Sequence, residues 1–387
     1  MVVERGRTGK AGRTSEQILK PVDSAKTFAW EYYTVTSLSS VDPDRPQIPR
    51  YPTMRHVAAL AGVGIKTVSR VMNNEPNVSI ETASRVLDAA HRLNYRPNLH
   101  AGNLKRAGGR TQTIGLLVSS VANPFAGALH RAVEDAARER DTAVFAASLD
   151  DDPLRERGIV EAFIQRRVDG LILTTATSSQ SYLIPEQQRG TPLVFVDRTP
   201  VGIAADAVVS DNANGAATAT RHLIQHGHTR IAYLGDRHDI QTARERKRGF
   251  INELVSQGVP LASTTIVEDL HHEESARAAA HRLLSLADPP TAIFSSQNLV
   301  TIGVIRALQD LGSDVTRTTA LVGFDDFPLS DLLDPAVTVV AQNAQQIGAL
   351  AAERFFARLD GDRSPEQTTI VSTVLIARGS GEVRAHA

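Results

Sequence analysis

The sequence predicts an α/β protein in which an N-terminal helix-turn-helix head precedes a body of two doubly wound parallel-sheet subdomains. Three observations predict it. Residues 53–93 hold three short, closely spaced amphipathic helices. From residue 113 onward, apolar strand segments alternate with amphipathic helical ones. Charge is segregated along a chain whose formal net charge is only -1.

Residues 1–51 form a polar extension interrupted by Gly and Pro, with an aromatic cluster at Phe28, Trp30, Tyr32 and Tyr33 but no sustained period. Such a segment buries too little apolar surface to order itself and is expected to be mostly disordered. The first helix starts at the cap Thr53. Met54, Val57, Ala58 and Ala61 follow helical spacing, and Gly62 supplies the turn. In the second helix, Ile65 to Met72, the residues Val68, Val71 and Met72 face inward, while Ile65, Lys66, Thr67, Ser69 and Arg70 stay outside. Ser79 caps the third, Ile80 to about Leu93, whose inner face is expected to carry Val86, Leu87, Ala90 and Leu93.

Between residues 51 and 110 there are nine Lys+Arg against three Asp+Glu, a net of +6, while residues 111–387 hold twenty-five against thirty-four, a net of -9. A basic head on an acidic body is the footprint of a phosphate-binding surface. Two helices joined this tightly suit a major groove, the second helix entering it and the first crossing the backbone. The string GVGIKT at 62–67 superficially resembles a nucleotide phosphate loop. It lacks a Gly directly before Lys66 and is preceded by a helix instead of a strand.

In the body the strand segments are TIGLLV (113–118), TAVFAAS (142–148), GLILTT (170–175), PLVFVD (192–197), RIAYLG (230–235), TAIFSS (291–296) and TALVGFD (319–325). Helical stretches between them demand parallel sheets covered on both faces, and the count suits two domains. A single dinucleotide-binding enzyme is the other possibility. No G-x-G-x-x-G follows the first strand, where the chain instead reads SSVANPFAG.

A chain of 387 residues, 42% hydrophobic and 22% charged, can bury a large core in two or three domains. It has no cysteine, which excludes disulfides and thiol catalysis. No apolar run reaches transmembrane length, and charges stand where a signal peptide would be apolar, so a cytoplasmic protein away from membranes is expected. HHEE at 271–274 lacks metal-ligand spacing and reads as the start of a solvated helix, DDD at 150–152 reads as a loop, and no nucleophile elbow or paired-carboxylate motif stands out. No enzyme, cofactor or metal is expected.

Residues 53–106, with TVSRV at 67–71 and RPN at 96–98, resemble the DNA-binding headpiece of the lactose-repressor (LacI/GalR) family of bacterial transcriptional regulators. The match is ungapped. It implies that Ile65, Lys66 and Arg70 read base edges, that Thr67, Ser69 and Asn73 touch or support the DNA backbone, and that Leu104 on a hinge helix wedges into a minor-groove step. The chemistry agrees, since Arg70 offers a planar fork to guanine, Lys66 a single donor and Ile65 an apolar contact for a thymine methyl. Two positions depart from the family: Gly64 replaces the usual Ser, and Ala83 replaces a common Arg, which tempers affinity.

NPFAG (123–127), VDR (196–198), SDNANGA (210–216), HLIQHGHTRIAYLG (222–235) and LVGFDD (321–326) resemble the family's periplasmic-binding-protein-like (type I) effector domain. The resemblance implies a small-molecule effector, a sugar, held between two subdomains by Ser119, Asn123, Phe125, Asp197, Arg246, Gln297 and Asp326. An Arg fork and carboxylates suit vicinal hydroxyls, and Phe125, Phe195, Phe324 or Phe327 is a candidate to cover an apolar sugar face. Gln297 stands where Asn is usual and Asn298 where Asp is usual. It also implies a division into an extension at 1–51, a headpiece at 52–97, a hinge helix and linker at 98–112, and a ligand-binding and dimerisation domain at 113–387. Within the last, subdomain N covers about 113–210 and 342–368, and subdomain C about 211–341 and 369–387, with crossovers near 210, 341 and 369. Family members begin just before the first helix, where Met54 lies, so residues 1–51 read as an added arm or as a start assigned too early. The expected protein is a homodimeric, nucleoid-associated repressor on a pseudo-palindromic operator of double-stranded DNA, with no leucine-heptad tail for a tetramer. The rival expectation is a cytoplasmic sugar-binding protein or sugar-processing enzyme with no operator-binding role.

Overall fold

The computed structural model describes residues 14–21, 30–37, 52–73, 75–96 and 109–385. Strands β1 (Thr14–Pro21) and β2 (Trp30–Ser37) pair antiparallel, with Ile18 opposite Tyr33. Disorder was expected there. The second strand, WEYYTVTS, is dense in aromatic and β-branched residues, which favour a pleated strand over the polar average of the segment.

The head is three helices, α1 (Met54–Ala61), α2 (Ile65–Met72) and α3 (Ile80–Arg92). Gly62 sits at φ +64°, and its N–H returns to the Ala58 carbonyl, so the chain reverses in the left-handed region that glycine enters without steric cost. Val57, Ala58, Ala61, Val68, Val71, Val86, Ala89 and Ala90 make the core. Leu87, expected on the inner face of α3, is 54% exposed. The buried stripe runs instead through Val86, Ala89 and Ala90, with Leu93 packed at its edge.

The body begins with β3 (Thr113–Val118), α4 (Pro124–Arg138), β4 (Ala143–Ser148), α5 (Pro153–Gln165), β5 (Gly170–Leu173), α6 (Ile184–Gln188), β6 (Leu193–Val196) and β7 (Asp206–Ser210). It continues through α7 (Asn212–Gln225), β8 (Ile231–Leu234), α8 (Gln241–Ser256), β9 (Thr265–Val267), α9 (Glu273–Leu284), β10 (Ala292–Ser295), α10 (Asn298–Leu311), α11 (Ser313–Thr318) and β11 (Ala320–Phe324). It ends with β12 (Thr338–Ala341), α12 (Ala344–Leu359), β13 (Thr368–Val371) and β14 (Val374–Ile376).

These strands form two six-stranded sheets, ordered β13-β7-β6-β5-β3-β4 and β14-β12-β11-β10-β8-β9. Every pairing is parallel except that of β12 with β14. In the first subdomain, α4 and α12 bury Leu129, Val133, Ile347 and Phe355 against one sheet face, and α5 buries Val160 and Phe163 against the other. In the second, α9 and α10 cover one face and α7 and α8 the other. The α7–α8 packing is so close that a Cβ at Gly249 would lie 2.0 Å from the Ala213 carbonyl oxygen.

The chain passes between the subdomains after β7, after β12 and after β13. The third passage falls at 372–373, later than 369, because Thr368–Val371 pairs in register with Ala207–Ser210. Parallel order places the carboxyl ends of all strands but β14 at one edge of their subdomain, and the two edges border a shared cleft. Among the described residues, no helix is long and apolar enough to cross a membrane.

Candidate functional site

In the head, α2 is anchored by Val68 and Val71, both buried, so helical geometry turns the opposite face outward. Ile65 is 45% exposed; Lys66, Arg70 and Asn73 are exposed, while Thr67 and Ser69 are half-buried. Arg70 Nε lies 3.9 Å from Glu75 Oε2, with both side chains about half exposed. A pair this open and long restrains Arg70 weakly. Asn73 Nδ2 donates to Ser69 Oγ at 3.4 Å, which ties the polar end of the helix together. Gly64 caps α2 through its backbone only, and Ala83 packs at the edge of the head core. Ser79 caps α3 by accepting from the Thr82 N–H. Leu104 and residues 97–108 of the hinge lie outside the described residues.

In the body, five of the seven expected effector residues come to the cleft edge. Ser119 follows β3, and its carbonyl accepts from the Asp150 N–H. Asn123 caps α4, its Oδ1 accepting from Phe125 N–H at 3.0 Å. Asp197 follows β6 at φ +67°. Arg246, 5% exposed on α8, donates from Nε to Asn212 Oδ1 at 2.8 Å and from Nη1 to the Ser296 carbonyl at 2.7 Å. Gln297 caps α10, its Oε1 accepting from Leu299 N–H at 2.9 Å. The other two are engaged within their own subdomains. Phe125 packs on the first subdomain's core. Asp326 is gripped by both terminal nitrogens of Arg378, at 2.8 and 2.7 Å, and accepts from Ser330 Oγ.

It is Asp325, one residue earlier and 5% exposed at φ +73°, that faces Arg246 at 3.4 Å. The Arg246 guanidinium also lies 3.8 Å from the centroid of the Phe324 ring, so that ring is stacked on a cation. Phe195 is fully buried in the first subdomain, which closes its ring to a ligand, while Phe327 is half-buried against the second's core.

Several cleft residues carry no sequence signal of their own. Asp151, in the DDD loop, is turned inward and lies 2.6 Å from Arg198, whose Nη1 also donates to the Thr175 carbonyl. Arg198 had been visible only as the last letter of VDR. Burial works against its charge, but Asp151 and Asp197 more than offset it and hold the guanidinium above its ordinary value. Burial likewise pushes the Asp197 carboxyl up to about 6, with Arg198 and Arg246 pulling the other way. His271, expected on a solvated helix, reaches the cleft instead, where its Nδ1 is 2.7 Å from Asp236 Oδ1 and a hydrogen bond to that carboxylate raises its pKa.

The two faces touch. Asn298 Nδ2 donates to Asn123 Oδ1 at 2.9 Å. Gln241 Nε2 donates to Thr199 Oγ1 at 2.7 Å and its Oε1 accepts from the Thr199 N–H at 3.1 Å. Arg237 donates to the Asp151 carbonyl at 3.3 Å. Asn298 itself is fully buried, and its Oδ1 has no hydrogen-bond partner among the described residues, an acceptor suited to a hydroxyl donor. Toward solvent the cleft widens into a cavity of about 620 Å³ bordered by Asp151, Thr175, Arg198, Arg237 and Gln241. Buried donors and acceptors around a concavity of this size can bind a small polar molecule and tie its binding to closure.

The family description of bacterial regulatory proteins of the lacI family matches residues 53–98, and that of the periplasmic binding protein-like domain matches residues 220–381. The HTH-type transcriptional regulator GalR of Escherichia coli (strain K12) is 32% identical over 328 residues, which is 85% of this chain and 95% of that protein. The solved complex of the transcriptional regulator CelR with cellobiose is 29% identical with a TM-score of 0.61, over 85% of this chain and 99% of that one. The lac repressor dimer bound to operator and an anti-inducer shares the fold at a TM-score of 0.75 and 24% identity, over 86% and 99% of the two chains.

Proposed function

The chain belongs to the LacI family of bacterial regulatory proteins, and on that premise we propose that α2 reads an operator half-site while the body's cleft senses a polyhydroxylated small molecule. It is a DNA-binding transcriptional regulator, not an enzyme. The observation that carries the reading of the head is the outward face of α2, where Ile65, Lys66 and Arg70 are exposed beside a buried Val68–Val71 edge. Arg70 supplies a bidentate fork for guanine O6 and N7, Lys66 a second donor and Ile65 an apolar patch for a thymine methyl. Thr67, Ser69 and Asn73 set the register on the phosphates, which position the head without specifying sequence. As a homodimer it presents two such faces to a pseudo-palindromic site. Leu104 is the proposed minor-groove wedge, and nucleoid association follows from operator binding.

Asp197, Arg246 and Asn298 with Asn123 are the proposed polyol contacts, Ser119 and Gln297 shaping the wall beside them. The bonds that cross the cleft make closure a two-state element, and an effector acts by binding one state better than the other. Selecting duplexes from a randomised pool with the full-length protein, then adding a panel of free sugars to the selected complex, tests both halves. A two-fold-symmetric consensus whose affinity one sugar changes supports the reading. Recovery of no consensus would overturn the operator assignment.

A further inference from the structure

The 620 Å³ cavity is a different environment from the deeper charge cluster. Four guanidiniums border it, those of Arg157, Arg198, Arg237 and Arg244, against the carboxylates of Asp151 and Asp239. Two are neutralised: Arg198 pairs with Asp151, and Arg237 grips Asp239 through two nitrogens at 3.0 and 2.5 Å. Arg157 and Arg244 pair with no carboxylate among the described residues. Arg157 lies 4.9 Å from the centroid of the Tyr182 ring, and Arg244 donates only to the backbone carbonyls of His238 and Asp239. Arg157 and Arg244 are thus unpaired cations at the cavity's edge, in a body whose overall charge is negative.

The wall facing those arginines is built, not loose. Glu156 on α5 is fully buried, and its carboxylate accepts from the N–H groups of Ala176 and Thr177, from Thr177 Oγ1 and from the Tyr182 hydroxyl, at 2.5 to 2.7 Å. Gln180, 1% exposed, donates to the Thr177 carbonyl and accepts from the Val201 N–H. A buried carboxylate is tolerated only when its oxygens are saturated, so this one fixes the loop that bears Ser178 and Ser179 at the cavity. Val201 links the same network to the segment of Thr199, whose bonds to Gln241 span the cleft.

We propose that this outer chamber receives the phosphate group of a phosphorylated sugar, with Arg157 and Arg244 supplying unpaired guanidiniums and Ser178 and Ser181 supplying hydroxyl donors. The assignment rests on the reading of the cleft as the effector site and deepens it. The sugar ring lies toward Asp197 and Asn298, and the phosphate toward solvent. Guanidinium–phosphate bonds are charge-assisted and can be bidentate, which makes a phosphorylated ligand prefer this cleft to its free sugar.

Thermal unfolding of the full-length chain with glucose 6-phosphate, ribose 5-phosphate, glucose, ribose, gluconate and inorganic phosphate, at constant ionic strength, tests it. A phosphorylated sugar is expected to raise the Tm more than its free counterpart does, with at least tenfold tighter binding in a following titration. The exposed double variant Arg157→Ala/Arg244→Ala is expected to lose that advantage, with an unchanged circular-dichroism spectrum. Equal shifts from free and phosphorylated sugars, a response to gluconate alone, or a phosphate advantage that survives in the double variant would each overturn the proposal. The cleft reading fails separately: if Asp197→Asn and Asn298→Ala leave every ligand's shift unchanged, the site itself is elsewhere.

Discussion

Asp197 lies between two guanidiniums, yet its pKa is raised to about 6, because loss of water outweighs the attraction of Arg198 and Arg246. A carboxyl raised in the folded state binds more protons there than in the unfolded chain, where it titrates near 3.9. Its ionisation therefore costs stability as pH climbs from about 4 to about 6, by on the order of 2 to 3 kcal/mol. Asp197→Asn removes that cost. Urea unfolding is expected to show the variant gaining on the wild type between pH 4.5 and pH 7, and a difference independent of pH would contradict the burial account. Neighbouring carboxylates make a second test. Asp325 and Asp326 are adjacent in sequence, but the left-handed backbone at Asp325 turns its side chain to Arg246 while Asp326 pairs with Arg378. Asp325→Asn is expected to weaken effector binding measured by calorimetry, and Asp326→Asn to leave it within about twofold while lowering the Tm. The reverse pattern would restore the sequence expectation. Nothing local distinguishes the two residues, since the deciding partners lie far along the chain.

The helices of the head were legible because their determinants are local. Caps at Thr53 and Ser79, glycine at the turn and valines at helical spacing all fall within a few residues of what they specify. Leu87 was misplaced since its position is close to the edge of the apolar stripe and only the packing of α1 and α2 chooses which edge is buried. The short strands β7, β9, β12, β13 and β14, three to five residues each, were not recognised because so few residues show no period, and their partners come from distant segments. Gly64 offers an element-scale prediction. It caps α2 at φ -72° and ψ 152°, angles open to serine, and a Cβ there meets nothing within 4 Å. Gly64→Ser is expected to stabilise the head by about 0.5 kcal/mol, read from the unfolding midpoint of its helical signal. A lower midpoint would show that the cap is not limiting.

At the scale of the molecule, the alternation of strands and helices announced two parallel sheets, while the cleft between them depends on residues brought together by three passages of the chain. Gln241 illustrates the difference. It is one polar residue at the start of a helix in sequence, yet in the fold both ends of its amide meet Thr199 on the opposite face. Each such bond contributes about 0.5 to 1.5 kcal/mol net, so Gln241→Ala is expected to shift the cleft toward its open state. Small-angle scattering should then report a larger radius for the body, and an unchanged radius would mean that these bonds do not govern closure.

The exposed face of α2 is the surface through which this regulator is proposed to read its operator. Fluorescence anisotropy with the selected duplex, at one fixed salt concentration, compares the wild type with Lys66→Ala and Arg70→Ala. Each variant is expected to lose about 1 to 3 kcal/mol of binding free energy, and a substitution of the contacted base pair should abolish the difference. Binding that stays unchanged in both variants would contradict it.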